Sequence, residues 1–562
     1  MFRSFAFYLA TGVAFLALMI GGVLGVQFGG DIKRAGTSIM ASLRAGDTSP
    51  NAEGPYPPAI RTTFLTFDTS VIPVPQARKG AGGGLTRFGD GLVLMTHDGR
   101  VFGLGADRTL NPLDVALPDN GFDAFVRVTS RPEYADQIHL PPRYRYNGFQ
   151  FVDAPVFRGF LMSTTYFDEE RICYTNRLYR ASVDPGAASF EALSLAADDW
   201  ELIYETSPCL ALLTGDRSLV GEMASGRMVF DPPHTLYMTN GDYYLNESNK
   251  ASGLPEDMSY GKIAAIDLRD LSWRYFSEGH RNPSGIARDR DGNIWSVEHG
   301  AFGGDELNLI EEGNDYGWPE WSFGQRYDGT PLAPPLAEPG HHDGATAPVY
   351  AWLPSAAVSS ITTIDGFDPT WDGDLIVGTL GREVTKGRKL YRIRIVDQSV
   401  VFAEEIRVGE RIRDVIQWDD QTLVLWMDRS ELVLLTKRDV AAEADRRLTA
   451  ALNVLPEPDR DRVAGALGAC RECHSIVRGV AGAAPSLYGV VDRPIAATRY
   501  PAYSDALRTT PGTWTSARLA AYIKDPESVA AGTTMMAPGI TNDAVIGGLI
   551  QVLDALDAEP NG

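Results

Sequence analysis

Between residues 59 and 437 one local pattern keeps returning: a turn rich in Asp and Gly, followed by a short apolar run. It appears as GDGLVLMTHDGRVFGLG at 89–105, DPPHTLYMTNGD at 231–242, RDGNIWSVEHG at 290–300, WDGDLIVGTLG at 371–381 and WDDQTLVLWMDRSELVLLT at 418–436. Turns of this composition supply the backbone conformations that tight hairpins need, and short β-rich runs beside them read as strands. Amphipathic helical spacing is almost absent from the stretch. Imperfect returns at intervals of several tens of residues point to a β-propeller, whose radial sheets share a central channel; a large β-sandwich is the alternative. The intervals are irregular, so they leave the number of blades open.

The texture changes at Asp439. DVAAEADRRLTAALNVL, TSARLAAYIKD and TNDAVIGGLIQVLDAL space their apolar residues for helices, which predicts a small all-α domain over 439–562. This part contains ACRECHS at 469–475, with two of the chain's four cysteines. A redox dithiol or half a zinc site also uses a close cysteine pair, but only CxxCH requires the histidine directly behind it. There Cys470 and Cys473 bond a haem covalently and His474 reaches the iron. The remaining two, Cys173 and Cys209, are candidates for a disulfide, with two separate buried thiols as the alternative.

The 562 residues are 44% hydrophobic, enough for two or three domains with large cores. A formal net charge of −22 with no Lys/Arg cluster excludes nucleic acid as a partner. Residues 5–28 form an uncharged apolar run preceded by Arg3, long enough to cross a bilayer. No convincing cleavage site follows it, so residues 1–30 read as a retained anchor in preference to a signal peptide. Residues 31–58 then read as a Ser/Gly/Ala/Pro-rich tether. Covalent haem attachment occurs outside the bacterial cytoplasmic membrane, which puts the bulk of the chain in the periplasm.

The residues after Cys473 resemble class I cytochromes c. APSLYGVVDR at 484–493 is similar to the family's Pro-x-Leu-x-Gly segment, which implies that the Pro485 carbonyl accepts from the other ring nitrogen of His474. AGTTMMAPGI at 531–540 resembles its Gly-Thr-x-Met loop, which implies Met535 as the second iron ligand and Met536 as a packing neighbour. A thioether ligand raises the potential and closes the iron to oxygen, so the implied role of the single haem c is electron transfer. The aromatic usual in the family's last helix is missing near Gln551.

The stretch GHRNPSGIARDRDGNIWSVEHGAFGGDELNLIEEGNDYGWP at 279–319 resembles the soluble-type quinoprotein glucose and aldose sugar dehydrogenases. ERIRDV at 410–415 adds to the likeness. The resemblance implies a six-bladed propeller over 59–438 holding pyrroloquinoline quinone (PQQ) and calcium. PQQ carries three carboxylates, and Arg281, Arg411 and Arg413 are the implied cations, with Asn282 as a further donor. The implied calcium ligands are the carbonyls of Gly300 and Ala301, the latter replacing the family's usual proline. Asp305, Glu306 and Asn308 lie in a loop suited to a structural calcium, or to simple turn capping. Arg382 or Lys386 stands near the family's quinone-facing lysine, and Ser284 replaces a frequent glutamine.

One departure concerns the chemistry. The family's catalytic histidine lies in a His-x-Gly-Gly-Arg segment, and the matching GEMASGR at 221–227 has Met223 in its place. A thioether is a poor proton acceptor, which leaves Glu222 as a weak substitute. His341 and His342 are either a displaced base, metal ligands or a polar loop pair, while His280 and His299 belong to the family segments. Two main readings follow, beside a third that keeps PQQ but changes the substrate, with a different base. The first is a membrane-anchored periplasmic dehydrogenase that oxidises a sugar or alcohol at PQQ and passes electrons through haem c to a downstream cytochrome or terminal oxidase. The second is an electron-transfer cytochrome whose propeller has lost oxidation and serves for docking.

Overall fold

The computed structural model describes residues 56–75, 82–135, 144–214, 217–218, 221–248, 254–326, 329–330, 332, 342–381, 388–477, 483–498, 500–536 and 538–556. The expected anchor and almost all of the tether lie outside these residues, as do His341, Arg382 and Lys386. Among the described residues no helix is long and apolar enough to cross a membrane.

Six antiparallel sheets follow one another along the chain. Their innermost strands are Gly83–Phe88, Tyr146–Ala154, Ser225–Asp231, Pro283–Arg288, Val358–Thr363 and Ile412–Gln417. Each neighbours the next, and the last returns to the first, so the sheets form a closed ring of six blades. The ring is closed by the start of the chain: Thr66–Pro73 pairs antiparallel with Glu431–Lys437, from Phe67 opposite Lys437 to Pro73 opposite Glu431. The sixth blade is therefore built from both ends of the domain, which ties the termini together and leaves no open gap between first and last blades.

The strands are apolar on both faces because each blade is packed on both sides. In Gly91–Thr96 all six residues are buried. Leu92 and Leu94 join the core shared with Val424, Trp426, Leu432 and Leu434 of the sixth blade. Val93 and Met95 point the other way, into the core with Phe149, Phe160 and Met162 of the second. The period of two that normally separates core from solvent here separates one interblade core from the next, which is why these strands read as nearly continuous apolar runs.

Each of the five recurrent sequence stretches spans the hairpin between the first and second strands of a blade. Gly89, Gly292 and Gly373 hold positive φ of 56, 89 and 80° at three of these turns, where a side chain would be strained. Helices are few but present in the loops. Phe122–Thr129 buries Phe125 and Val128, a departure from the nearly helix-free reading.

At the end of the sixth blade Arg438 donates its backbone N–H to the Thr66 carbonyl and pairs its guanidinium with Asp68. The helical part begins at once with Val440–Leu452, followed by Glu457–Arg471, Asp505–Thr509, Ser516–Lys524, Pro526–Val529 and Asp543–Ala555. Its core gathers Val463, Leu467, Trp514, Leu519, Tyr522, Ile546, Leu549 and Val552. Glu457–Arg471 and Asp543–Ala555 cross closely at Gly548, where an added Cβ would lie 2.7 Å from Val463 Cγ2. Asn542 caps the second of these helices by accepting from the N–H groups of Ala544 and Val545.

Candidate functional site

The innermost strands converge on a pocket to which every blade contributes at least one residue. Its character is set by four arginines, Arg145, Arg227, Arg281 and Arg413. In a chain with net charge −22 this concentration of cations is a local inversion of sign, and it suits a ligand bearing several carboxylates. Two of the four already meet carboxylates of the chain, Arg227 at Asp414 and Arg413 at Asp428, so the cluster is partly neutralised from within.

The four have different duties. Arg281 is buried, and its Nη1 donates to the Gly300 carbonyl at 2.8 Å and the His299 carbonyl at 3.3 Å. Its guanidinium lies 5.2 Å from the Trp318 ring and 5.6 Å from Tyr244, which adds cation–π attraction. The backbone behind it is fixed from below: Glu298 Oε2 accepts the Arg281 N–H at 2.8 Å, and Glu298 Oε1 meets His280 Nδ1 at 2.9 Å. His280 is buried, stacked on Tyr316 and paired with Ser277, so its role is structural. Arg227 is a strut across the channel: it donates to the carbonyls of Gly83, Ser284 and Arg413 and pairs with Asp414 at 3.1 Å, tying together four blades. Arg413 faces the pocket while its Nε meets Asp428 Oδ1 at 2.7 Å. Arg145 holds Asn147 Oδ1 at 3.0 Å, and Asn282 Oδ1 accepts from Ser225 at 3.1 Å.

Of the residues expected to meet PQQ, Arg281, Asn282 and Arg413 line the pocket, whereas Arg411 is outside the lining and pairs with Asp428 at 2.9 Å. Met223 and Glu222 both line it, so the departure from the family's histidine lies at the site itself. Ser284 turns its hydroxyl onto the Val358 carbonyl at 2.7 Å. Arg145, Asn147, Arg227 and Tyr244 were not foreseen. Arg227 stood inside the quoted GEMASGR segment; Arg145 and Asn147 lie at the entry to the second blade, with no motif around them.

The Gly300 carbonyl already accepts from Arg281 and the Ala301 residue beside it is buried. Asp305 is buried and accepts from the N–H groups of Gly300 and Ala357 and from the Ser355 hydroxyl, which is the hydrogen bonding of a loop organiser. Glu306 shares Asn308 Nδ2 with Glu298, at 3.2 and 3.0 Å. Burial, and then the Glu298 charge, push its carboxyl well above the usual range. Among the described residues no three His, Cys, Asp or Glu side chains gather as a metal site. His342 Nε2 stands 3.9 Å from Glu306, and its ring stacks on Phe323.

Cys173 and Cys209 form a disulfide with Cα atoms 5.6 Å apart, as the pairing anticipates. It anchors the segment after the second blade to the strand Cys173–Ser182, where Cys173 lies opposite Ala211.

In the helical part Cys470 and Cys473 are free thiols at the end of Glu457–Arg471. His474 Nδ1 donates to the Pro485 carbonyl at 2.6 Å, which leaves Nε2 for a metal. Ser486 holds the turn by donating to the carbonyls of Ser475 and Val477, and Arg493 by donating to those of Ser486 and Tyr488. The methionine pair separates cleanly. Met535 is packed against the core, while Met536 is 87% exposed, contrary to the expected packing role. Thr533, bonded to Tyr522 at 2.7 Å, fixes the loop before Met535. This donor set, two thiols, an oriented imidazole and an inward thioether, fits a covalently attached haem.

Comparison with known proteins agrees with both halves. Residues 193–436 match the family model Glucose / Sorbosone dehydrogenase. The aldose sugar dehydrogenase YliI of Escherichia coli is 30% identical over 254 residues, which cover 42% of this chain and 63% of that protein. The cytochrome c2 iso-2 of Magnetospirillum fulvum is 34% identical over 91 residues, 16% of this chain and 95% of that one. A crystal structure of a glucose dehydrogenase superposes with a TM-score of 0.50 at 23% identity, covering 66% of this chain and all of that one, a likeness of fold. The chain thus carries a glucose/sorbosone dehydrogenase family domain over residues 193–436, and joined to it is a helical segment homologous to the cytochromes c2.

Proposed function

We propose that this protein is a quinohaemoprotein dehydrogenase of the periplasm, held to the cytoplasmic membrane by its N-terminal segment, that oxidises a sugar or simple alcohol and passes the electrons outward through haem c. The observation that carries the reading is the arginine-lined pocket at the propeller centre, joined in the same chain to a complete set of haem attachment and iron-ligand residues. PQQ bound in the pocket would supply a two-electron acceptor, with calcium as its Lewis acid, and the covalent haem a one-electron carrier.

The chain's own contributions follow from the geometry. Arg281, Arg413 and Arg145 would hold the cofactor's carboxylates, and Asn282 and Asn147 would add hydrogen bonds. Arg227 keeps the channel walls together. His474 and Met535 would hold the haem iron and leave it no open position for oxygen, so the helical part would deliver electrons to a downstream cytochrome or terminal oxidase. Tethering the two parts gives an effective concentration on the order of millimolar, which favours transfer within one chain. The disulfide and the CxxCH motif both support an exported location.

Met223 favours a second reading, in which the propeller no longer oxidises and serves as a docking module. One experiment separates them. Purified oxidised protein is incubated with PQQ and calcium and mixed anaerobically with a panel of aldoses and simple alcohols while the haem spectrum is followed. PQQ-dependent haem reduction by at least one compound is expected. Absence of PQQ binding and of haem reduction across the panel overturns the dehydrogenase reading.

A further inference from the structure

We infer that Glu222, held by Tyr244, receives the substrate proton in place of the imidazole that Met223 has replaced; the inference rests on the dehydrogenase reading. Glu222 lines the same pocket as Arg281 and Asn282, and its Oε2 accepts from the Tyr244 hydroxyl at 3.1 Å. The same Tyr244 ring lies 5.6 Å from the Arg281 guanidinium. One aromatic side chain therefore lies against both the acid and Arg281, the cation proposed for the cofactor's carboxylates.

The scaffold beneath this pair is strained in the way functional sites are. Met223, Ser225, Tyr243 and Tyr244 hold positive φ of 56, 57, 50 and 63°, which costs free energy for residues other than glycine. The two strained segments are pressed together: a Cβ on Gly241 would lie 1.8 Å from the Met223 carbonyl oxygen. Asp242 locks the second segment to the cofactor arginine. Its N–H donates to the Arg281 carbonyl at 2.8 Å, and its carboxylate accepts from Tyr244 N–H at 2.9 Å and Trp318 Nε1 at 2.7 Å. Strain paid for on both sides of one contact places the carboxylate and its donor together at the pocket.

Few other lining groups can take a proton. The four arginines are permanently charged, the asparagine amides are not bases, and the Met223 thioether is only a weak acceptor. His299 is the rival. In the step itself the substrate hydroxyl O–H bond breaks and its proton passes to the Glu222 carboxylate. The electron pair left on oxygen would become the second C–O bond as the carbon gives up a hydride, for which PQQ, when bound in the pocket, would supply the two-electron acceptor.

The test uses the full chain loaded with PQQ and calcium, following haem reduction by its best sugar or alcohol in anaerobic stopped flow over a range of pH. Glu222→Gln is expected to slow reduction by about 10² to 10⁴-fold, the usual loss for a general base. Glu222→Asp keeps part of the rate, and PQQ affinity, read from quenching of intrinsic fluorescence, changes by less than about twofold, in line with a group that binds no cofactor carboxylate. Tyr244→Phe, a positioning change, slows reduction less and displaces the acid limb of the rate profile. A readout without turnover accompanies it: in acid-minus-neutral infrared difference spectra of the loaded protein, E222Q removes a carboxyl band that Y244F shifts. The inference is overturned if E222Q reduces haem at the wild-type rate, if it loses PQQ, or if the acid limb survives in E222Q, which assigns the proton to His299. A wild-type protein that binds PQQ but is reduced by no substrate instead overturns the dehydrogenase reading beneath it.

Discussion

The haem segment and the propeller pocket are both sites for a cofactor, yet they are built on opposite plans. In the first, Cys470, Cys473 and His474 sit within one turn of chain, and the partner of His474 is Pro485, eleven residues on. In the second, the lining runs from Gly82 to Arg413, and no blade supplies more than a few groups. A site assembled locally keeps its chemistry when the rest of the fold drifts. A site assembled from six blades depends on the ring that closes between Thr66–Pro73 and Glu431–Lys437, and it can lose one member, as at Met223, while its arginines stay in place.

The largest effect that would break this contrast comes from removing the local site outright. Cys470→Ser with Cys473→Ser abolishes covalent haem, read as loss of haem stain on a denaturing gel, and leaves PQQ affinity where it was. Loss of PQQ binding in that variant would mean that the propeller is not built independently of the helices, against their separate cores.

Next in size is the distributed site. Arg281→Ala removes a buried cation with two carbonyl partners and two aromatic neighbours, and truncation of such a group costs about 2–5 kcal/mol, so PQQ affinity falls by roughly thirtyfold or more. Arg411→Ala, paired with Asp428 outside the lining, changes it by less than about fivefold, the range of a half-exposed ion pair. Equal losses from the two would show that the pocket extends beyond its present walls.

A smaller effect sharpens the comparison inside the helical part. Met535→Leu takes away the inward thioether and lowers the haem midpoint potential with a changed reduced spectrum, whereas Met536→Leu, on an exposed side chain, leaves both unchanged. The reverse result would exchange the two assignments.

The same contrast explains what the sequence disclosed. The propeller was legible because five of its six inner hairpins carry Asp, Asn or Gly at a turn that needs them. The second blade turns instead through Ala154, Pro155 and Val156, with no such residue, and gave no signal. His474 and Pro485 were legible because the imidazole and its acceptor are near neighbours in sequence. Arg145 and Tyr244 were not, because the pocket they line is assembled from distant parts of the chain, a relation only the closed ring creates. For Asp305 the residue type leaves a calcium ligand and a turn cap both open, and the hydrogen bonds to Gly300 and Ala357 that favour the second appear only when the loop is folded.

Two histidines carry the contrast to its smallest scale. The His474 ring is held by Pro485, whereas the His342 ring is buried against Phe323 and neither nitrogen has a hydrogen-bond partner among the described residues. Burial disfavours the charged imidazole and pulls its pKa below the usual value. The unfolded chain then binds a proton that the folded one refuses, so stability is present above the unfolded pKa, about 6.5, and is lost progressively as pH falls below it. His342→Leu keeps an apolar side chain on Phe323 and removes that titration. Its unfolding free energy, from urea titration, should match the wild type near neutral pH and exceed it by a margin that widens toward pH 5, by up to about 1.4 kcal/mol for each pH unit below the unfolded pKa, until the folded ring itself is protonated. A gap that stays constant with pH would mean that the folded ring does take the proton, with Glu306, 3.9 Å from its Nε2, as the group that meets the charge.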